Sequence, residues 1–206
     1  MTDCKLTYFD MDGGRGEPIR IALHAAGVDF EDHRVAFPDF QELRQKLPFG
    51  CVPVFEVDGV AVTQSNAIAR YVGKMGDLYP EDELQALYCD EAMDAVEDIS
   101  HYLGPTFGLQ GEALKTAREQ LVERRLSVFL PGLAKLLGRG GGRYFADKRL
   151  TVADLKVFVQ TRWFRSGKLD HIPDDLVDSL APALAEHQTR IERDPVVVAY
   201  YAARGK

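Results

Sequence analysis

The 206-residue sequence predicts an α/β domain over residues 1–80 followed by an all-α domain over residues 81–206. Three features carry this expectation. Up to Lys74, short runs rich in β-branched and aromatic residues alternate with stretches of helical periodicity. Beyond Glu81 no convincing strand recurs, and the apolar residues keep the spacing of amphipathic helices. Between the two lies MGDLYPED, residues 75–82, whose polar character, Gly and Pro suit a linker.

In chain order, residues 4–9 (CKLTYF) read as a strand ended by the loop DMDGGRG. Residues 17–26 follow as a helix, with Ile19, Ile21, Ala22, Leu23 and Ala26 at roughly helical spacing. Pro18 sits in the first turn, where a missing N–H is harmless, and Gly27 stands where a left-handed residue closes a helix. Residues 30–35 read as a second strand and residues 38–47 as an irregular helical stretch. Residues 54–57 and 60–62 flank Asp58-Gly59, a strong hairpin signal. Gln64-Ser65 precede a helix over residues 66–74, with Ser65 its expected N-cap, so the order is β-α-β-α-β-β-α.

The second domain shows amphipathic stretches at residues 83–109, 112–137 and 151–166, and a shorter one at 180–193. Thr151 and Asp154 have the spacing of a capping box, so losing Thr151 is expected to cost about 1 kcal/mol.

Composition excludes several classes of function. At 46% hydrophobic residues the chain buries a core without metal or disulfide staples. Its formal charge is −7, and residues 1–80 carry 8 Lys/Arg against 12 Asp/Glu while residues 81–206 carry 17 against 20, which argues against nucleic acid as a partner. Cys4, Cys51 and Cys89 are odd in number with no close pair, which suggests neither a disulfide framework nor a zinc site and fits a reducing compartment. With no signal-peptide pattern at the start and no apolar run of spanning length, the expectation is a cytoplasmic protein with no membrane partner. The glycines at 13, 14 and 16 match neither G-x-x-x-x-G-K-[ST] nor G-x-G-x-x-G, and no cysteine near the first helix supports a redox dithiol.

Four segments in order, KLTYF, LPFGCVPVFEVDG, QSNAIARY and LTVADL, resemble the sigma-like branch of the cytosolic glutathione transferases across essentially the whole chain. The resemblance implies a thioredoxin-like first domain, glutathione as cosubstrate with no metal required, a small hydrophobic electrophile, a detoxification role and a homodimer. By the same resemblance, Tyr8 matches the tyrosine whose hydroxyl donates to the glutathione sulfur, and Arg15 the arginine beside it, in a loop one residue longer than the usual pattern. Val52, before a proline that is cis in the family, pairs with the glutathione peptide as an added strand next to Pro53. Gln64 and Ser65 hold the γ-glutamyl carboxylate. Phe40 stands where a tryptophan often reaches the glycyl carboxylate, Arg44 replaces a lysine there, and Cys51 replaces lysine or glutamine.

Asp98 is the nearest match to an acidic residue that reaches the ammonium of the partner's glutathione. Met11, Tyr102 and Phe107 are candidate walls of an electrophile pocket between the loop after Tyr8 and the first helix of the helical domain. Phe49 corresponds to an aromatic key inserted into the neighbouring subunit, and Arg70 is assigned to a domain or dimer contact.

The chemistry behind Tyr8 is simple. A thiol of ordinary pKa, about 8.5, is mostly protonated at neutral pH, and a hydrogen bond to the anion worth roughly 1.5–3 kcal/mol lowers that value by about one to two units. Bland readings exist beside the functional ones: a half-buried strand tyrosine for Tyr8, a core residue for Phe49, a simple helix cap for Ser65. The ridge of Asp90, Asp94, Glu97, Asp98 and His101 is either a solvated face or a cation site. Cys51 also offers a mixed disulfide with glutathione. Two alternative functions stay open: a glutathione-dependent isomerase of the prostaglandin-D-synthase kind, and a non-catalytic scaffold.

Overall fold

The computed structural model describes residues 3–205. Strands β1 (Cys4–Phe9), β2 (Glu31–Val35), β3 (Val54–Val57) and β4 (Val60–Thr63) form one sheet in the order β2-β1-β3-β4. β1 runs parallel to β2 and antiparallel to β3, and β3 and β4 make a hairpin. Its turn residues Asp58 and Gly59 take φ of 48° and 80°, the left-handed pair that an Asp-Gly turn supplies. Helix α1 (Glu17–Ala25) links β1 to β2, with Pro18 in its first turn and Gly27 at φ 62° beyond its end. Helix α2 (Phe40–Leu43) passes into a 3-10 turn (Arg44–Lys46), and α3 (Ser65–Met75) packs against α1. Leu6, Ile19, Ile21, Leu23, Phe55, Ile68 and Val72 form this core.

Two compact units divide at Tyr79 and Pro80, and residues from Val196 onward group with the first unit. The sequence expectation places residues 81–206 in one helical domain, and by contacts the last of these residues lie with the first unit. The reason is local: Tyr200, on α10 (Pro195–Ala203), packs its ring on His24 of α1, and Arg204 pairs with Glu17 and Asp12.

The second unit contains α4 (Glu83–Leu103), α5 (Gly111–Leu121), α6 (Ser127–Arg139), α7 (Val152–Phe164), α8 (Leu176–Leu180) and α9 (Pro182–Glu192). α4 ends at Gly104-Pro105 in a 3-10 turn (Gly104–Gly108), and a π turn (Val122–Leu126) joins α5 to α6. Helix α7 is buried on every side from Val152 to Thr161 and packs against α4 and α9. Among the described residues no helix is long and apolar enough to cross a membrane.

The capping box is present and carries more than a cap. Asp154 accepts from the Thr151 backbone N–H (2.9 Å) and hydroxyl (2.7 Å), from the Phe145 N–H (3.0 Å), and bonds His187 Nε2 at 2.9 Å. Asp154 and His187 are both fully buried.

Cys4 and Cys89 are buried and Cys51 is exposed. Burial pushes the Cys89 thiol up to about 12, against weaker opposing bonds from Ala153 and Thr151, and burial likewise raises Cys4. The neutral Cys89 thiol therefore favours the folded state at and below the ordinary thiol range near 8.5, and this contribution is lost as pH climbs toward about 12. In the native protein at pH 8 a maleimide is expected to label Cys51 alone, and all three thiols only after denaturation. Rapid native labelling of Cys89, read by mass spectrometry, would contradict this placement.

Candidate active site

Strand register brings the sequence-predicted residues to one end of the sheet. β1 and β3 pair Thr7 with Val54, and β3 and β4 pair Val54 with Thr63. The next row is Tyr8, Pro53 and Gln64, one residue beyond the last row that pairs β1, β3 and β4. Three segments far apart in sequence thus converge on one end of the sheet. The Val52–Pro53 peptide is cis, and Val52 is buried.

Tyr8 is 5% exposed, and its Oη accepts the backbone N–H of Arg15 at 3.0 Å. Arg15 thus meets Tyr8 through its main chain, whereas the family resemblance points to its guanidinium. A phenol oxygen that accepts at a lone pair still carries one proton to give, and the incoming N–H makes that proton a better donor. The Arg20 guanidinium, fully buried, lies 5.7 Å from the Tyr8 ring centroid and donates to Asp32 (2.9 Å) and to the carbonyls of Met11 (3.1 Å) and Phe9 (3.3 Å). It anchors both ends of the turn that leaves β1.

The loop glycines are part of the site. A Cβ at Gly16 would overlap Tyr8 Cγ and Cδ1, and one at Gly14, whose φ is 58°, would overlap Tyr8 Oη. Only glycine lets the backbone lie this close to the ring. In the sequence these glycines suggest only a test for a phosphate loop, because the contact that explains them exists only in three dimensions. Gly16→Ala is expected to push the Tyr8 ring aside and reduce kcat/KM by about 100-fold, as for a misplacement of about 1 Å. A variant that folds and retains full kcat/KM would show that the ring position is unimportant.

At the adjoining corner, Gln64 occupies the N-cap of α3 at φ 74° and ψ 107°, and Ser65 is the first helical residue. This corrects the expectation that Ser65 is the cap: the left-handed φ at Gln64 makes the turn one residue earlier. Non-glycine residues hold such a conformation at a cost of about 1–3 kcal/mol, and such outliers cluster at ligand clamps. The N-terminus of α3 stands at this corner, with Ser65 and Asn66 of its first turn buried, and the positive end of a helix suits a carboxylate.

The remaining candidates are placed as follows. Phe40 joins an aromatic cluster, 4.9 Å from Phe9, which stacks on Phe37 at 4.5 Å. Arg44 is exposed and its Nε lies beside Gly50, next to Cys51. Met11 is half-buried, Phe49 is 72% exposed and Arg70 is half-buried on α3. In the second unit, Tyr102 packs on Phe129 with the Arg125 guanidinium 4.4 Å from its ring, and Phe107 stacks on Trp163. Asp98 is exposed on α4, whereas Glu97 binds Lys156 Nζ at 2.8 Å. Glu97 is therefore engaged by a cation of the protein itself, and among the described residues no group of three His, Cys, Asp or Glu is disposed to hold a metal. A groove of about 640 Å³ in the second unit is lined by Arg143, Arg165, Arg190 and Arg193 together with Asp178, Glu186 and Asp194, and holds none of the sequence-predicted site residues.

A family model described as Glutathione S-transferase, N-terminal domain, matches residues 4–74, and one described as Glutathione S-transferase, C-terminal domain, matches residues 91–204. Hematopoietic prostaglandin D synthase of Gallus gallus is 31% identical over 206 residues, covering 100% of this chain and 98% of that protein. The chain belongs to the glutathione S-transferase family. Glutathione S-transferase 1 of Ascaris suum is 38% identical over 162 residues, 76% of this chain and 78% of its own. The structure of prostaglandin synthase D of Nilaparvata lugens superposes with a TM-score of 0.85 at 30% identity, covering 98% of each chain. Membership identifies the four-stranded unit as the thioredoxin-like domain of a glutathione S-transferase fold and the α4–α9 unit as its helical domain, in a family of transferases that use glutathione.

Proposed function

We propose that the protein transfers the glutathione thiolate to small apolar electrophiles, with the Tyr8 hydroxyl donating to the sulfur. The observation that supports this most is the row of Tyr8, Pro53 and Gln64 at one end of the sheet, with Tyr8 Oη polarised by the Arg15 N–H. In this reading the Val52 backbone pairs with the peptide of glutathione, and Gln64 with Ser65 at the α3 N-terminus binds its γ-glutamyl carboxylate. Arg44 takes the glycyl carboxylate, because Phe40 has no donor. Asp98 is assigned to the ammonium of a partner's glutathione, and Tyr102 and Phe107 to the electrophile. Tyr8 contributes through the charged state: a donor held at the thiolate favours the anion, the nucleophilic form.

A homodimer fits the apolar surface of the first unit, where Phe49, Val60, Val62 and Tyr71 are all exposed. The related Na-GST-3 of Necator americanus is described as monomeric, so a dimer is not common to every similar chain.

Titration calorimetry with glutathione, followed by a conjugation assay with an aryl halide, tests the reading. Binding with enzyme-dependent loss of halide supports it, and absence of glutathione binding refutes it. Relatives named as prostaglandin D synthases favour a second reading, isomerisation of an endoperoxide. The two differ in product: a thioether in the first case, an isomer with glutathione regenerated in the second.

A further inference from the structure

The loop over residues 10–16 contains three glycines, and the backbone freedom that lets it approach Tyr8 also lets it leave. Side-chain bonds bracket that glycine run. Asp12, just before Gly13-Gly14, meets Arg204 Nη2 at 2.7 Å and Arg34 Nη1 at 3.8 Å. Glu17, just after Gly16 and fully buried, meets Arg204 Nη1 at 3.3 Å and Arg20 Nη1 at 3.5 Å. Arg204 Nη1 also donates to Tyr200 Oη at 2.9 Å, and Tyr200 is seated against His24. One guanidinium at the end of α10 thus spans the entry and the exit of the glycine run. Arg15, whose N–H bonds Tyr8 Oη, lies between the two anchor points.

We propose that Arg204 is a positioning residue that holds the Arg15 N–H on the Tyr8 hydroxyl by clamping Asp12 and Glu17. The part of this proposal that concerns catalysis rests on the reading of Tyr8 above. Partial burial alone would lower the Arg204 pKa, but its bond to Asp12, with Tyr200 and Glu17 nearby, drives it above the ordinary arginine range. The clamp therefore stays charged at every pH at which the protein works. Arg34 reaches Asp12 only at 3.8 Å, with its Nε held by Asp32 at 2.7 Å and its Nη1 by Asp10 at 3.3 Å, and among the described residues it has no ion pair to Glu17, so Arg204 is the cation that bridges both anchor points.

The test compares Arg204→Met, Arg204→Lys and Asp12→Asn with wild type by amide hydrogen exchange in the ligand-free protein. Exchange of the Arg15 amide is expected to accelerate by about tenfold or more in Arg204→Met and Asp12→Asn, while α7 amides keep wild-type rates. Arg204→Lys restores part of the protection, and adding Arg204→Met to Asp12→Asn produces less than the sum of the two effects. With glutathione bound, the thiol pKa is expected to rise by about half to one unit in Arg204→Met, with kcat falling more than KM changes. Unchanged Arg15 exchange in both single variants overturns the clamp. Accelerated exchange with an unchanged thiol pKa overturns the catalytic part. A wild-type protein that leaves the glutathione thiol at its free value refutes the Tyr8 reading, and the exchange data then still decide the clamp.

Discussion

Asp154→Ala is expected to destabilise the helical unit by about 3–5 kcal/mol, because it removes the common acceptor of a buried network. Two backbone N–H groups, one hydroxyl and a buried imidazole lose their partner together. Each orphaned donor carries a desolvation cost of about 1–3 kcal/mol, partly recovered by local relaxation. For a chain of this size the loss corresponds to a fall in melting temperature of roughly 6–20 °C. Thr151→Ala removes one donor and leaves the acceptor, so its cost stays nearer about 1 kcal/mol. Denaturant unfolding of the two variants checks the ordering, and an Asp154→Ala loss below that of Thr151→Ala would contradict the network.

Tyr8→Phe is expected to lower kcat/KM about 10- to 100-fold at pH 6.5, the thiolate lost when a pKa rises by one to two units. The sign follows from the chemistry. With Tyr8 the bound thiol ionises at lower pH, so the rate is sustained well below the free thiol pKa. In the variant the rising limb of the pH–rate profile moves to higher pH, and the deficit shrinks above about pH 9, where both proteins carry thiolate. A profile displaced equally at every pH would indicate misplacement of the substrate instead.

How much of this was legible in the sequence depends on how local the cause is. The hairpin at Asp58-Gly59 and the limits of α1 follow from single residues with strict backbone demands, and they stand where the residue types put them. Ser65 was read as a cap because serine usually caps, but the left-handed turn falls on Gln64, whose side chain advertises nothing of the kind. Helix α10 was invisible because PVVVAYYAA is β-branched and aromatic without an amphipathic period. Its buried Val197 and Tyr200 hold it through tertiary packing that overrides propensity.

The stretch over residues 83–109 breaks at Gly104-Pro105 into a 3-10 turn, whereas residues 112–137 keep a helical course through a π turn and then α6, which contains Pro131. At the site, Tyr8, Pro53 and Gln64 could be found from their order along the chain. Gly14 and Gly16 could not, since a clash with the Tyr8 ring leaves no local signature, and neither could Asp12 with Arg204, which stand at opposite ends of the sequence.

The central claim is that this protein ionises glutathione, and the ultraviolet absorbance of the thiolate across pH measures that directly. Glutathione bound to the wild-type protein is expected to show a pKa about one to two units below the free thiol, returning toward the free value in Tyr8→Phe. Bound glutathione that titrates like the free thiol in the wild type would contradict it.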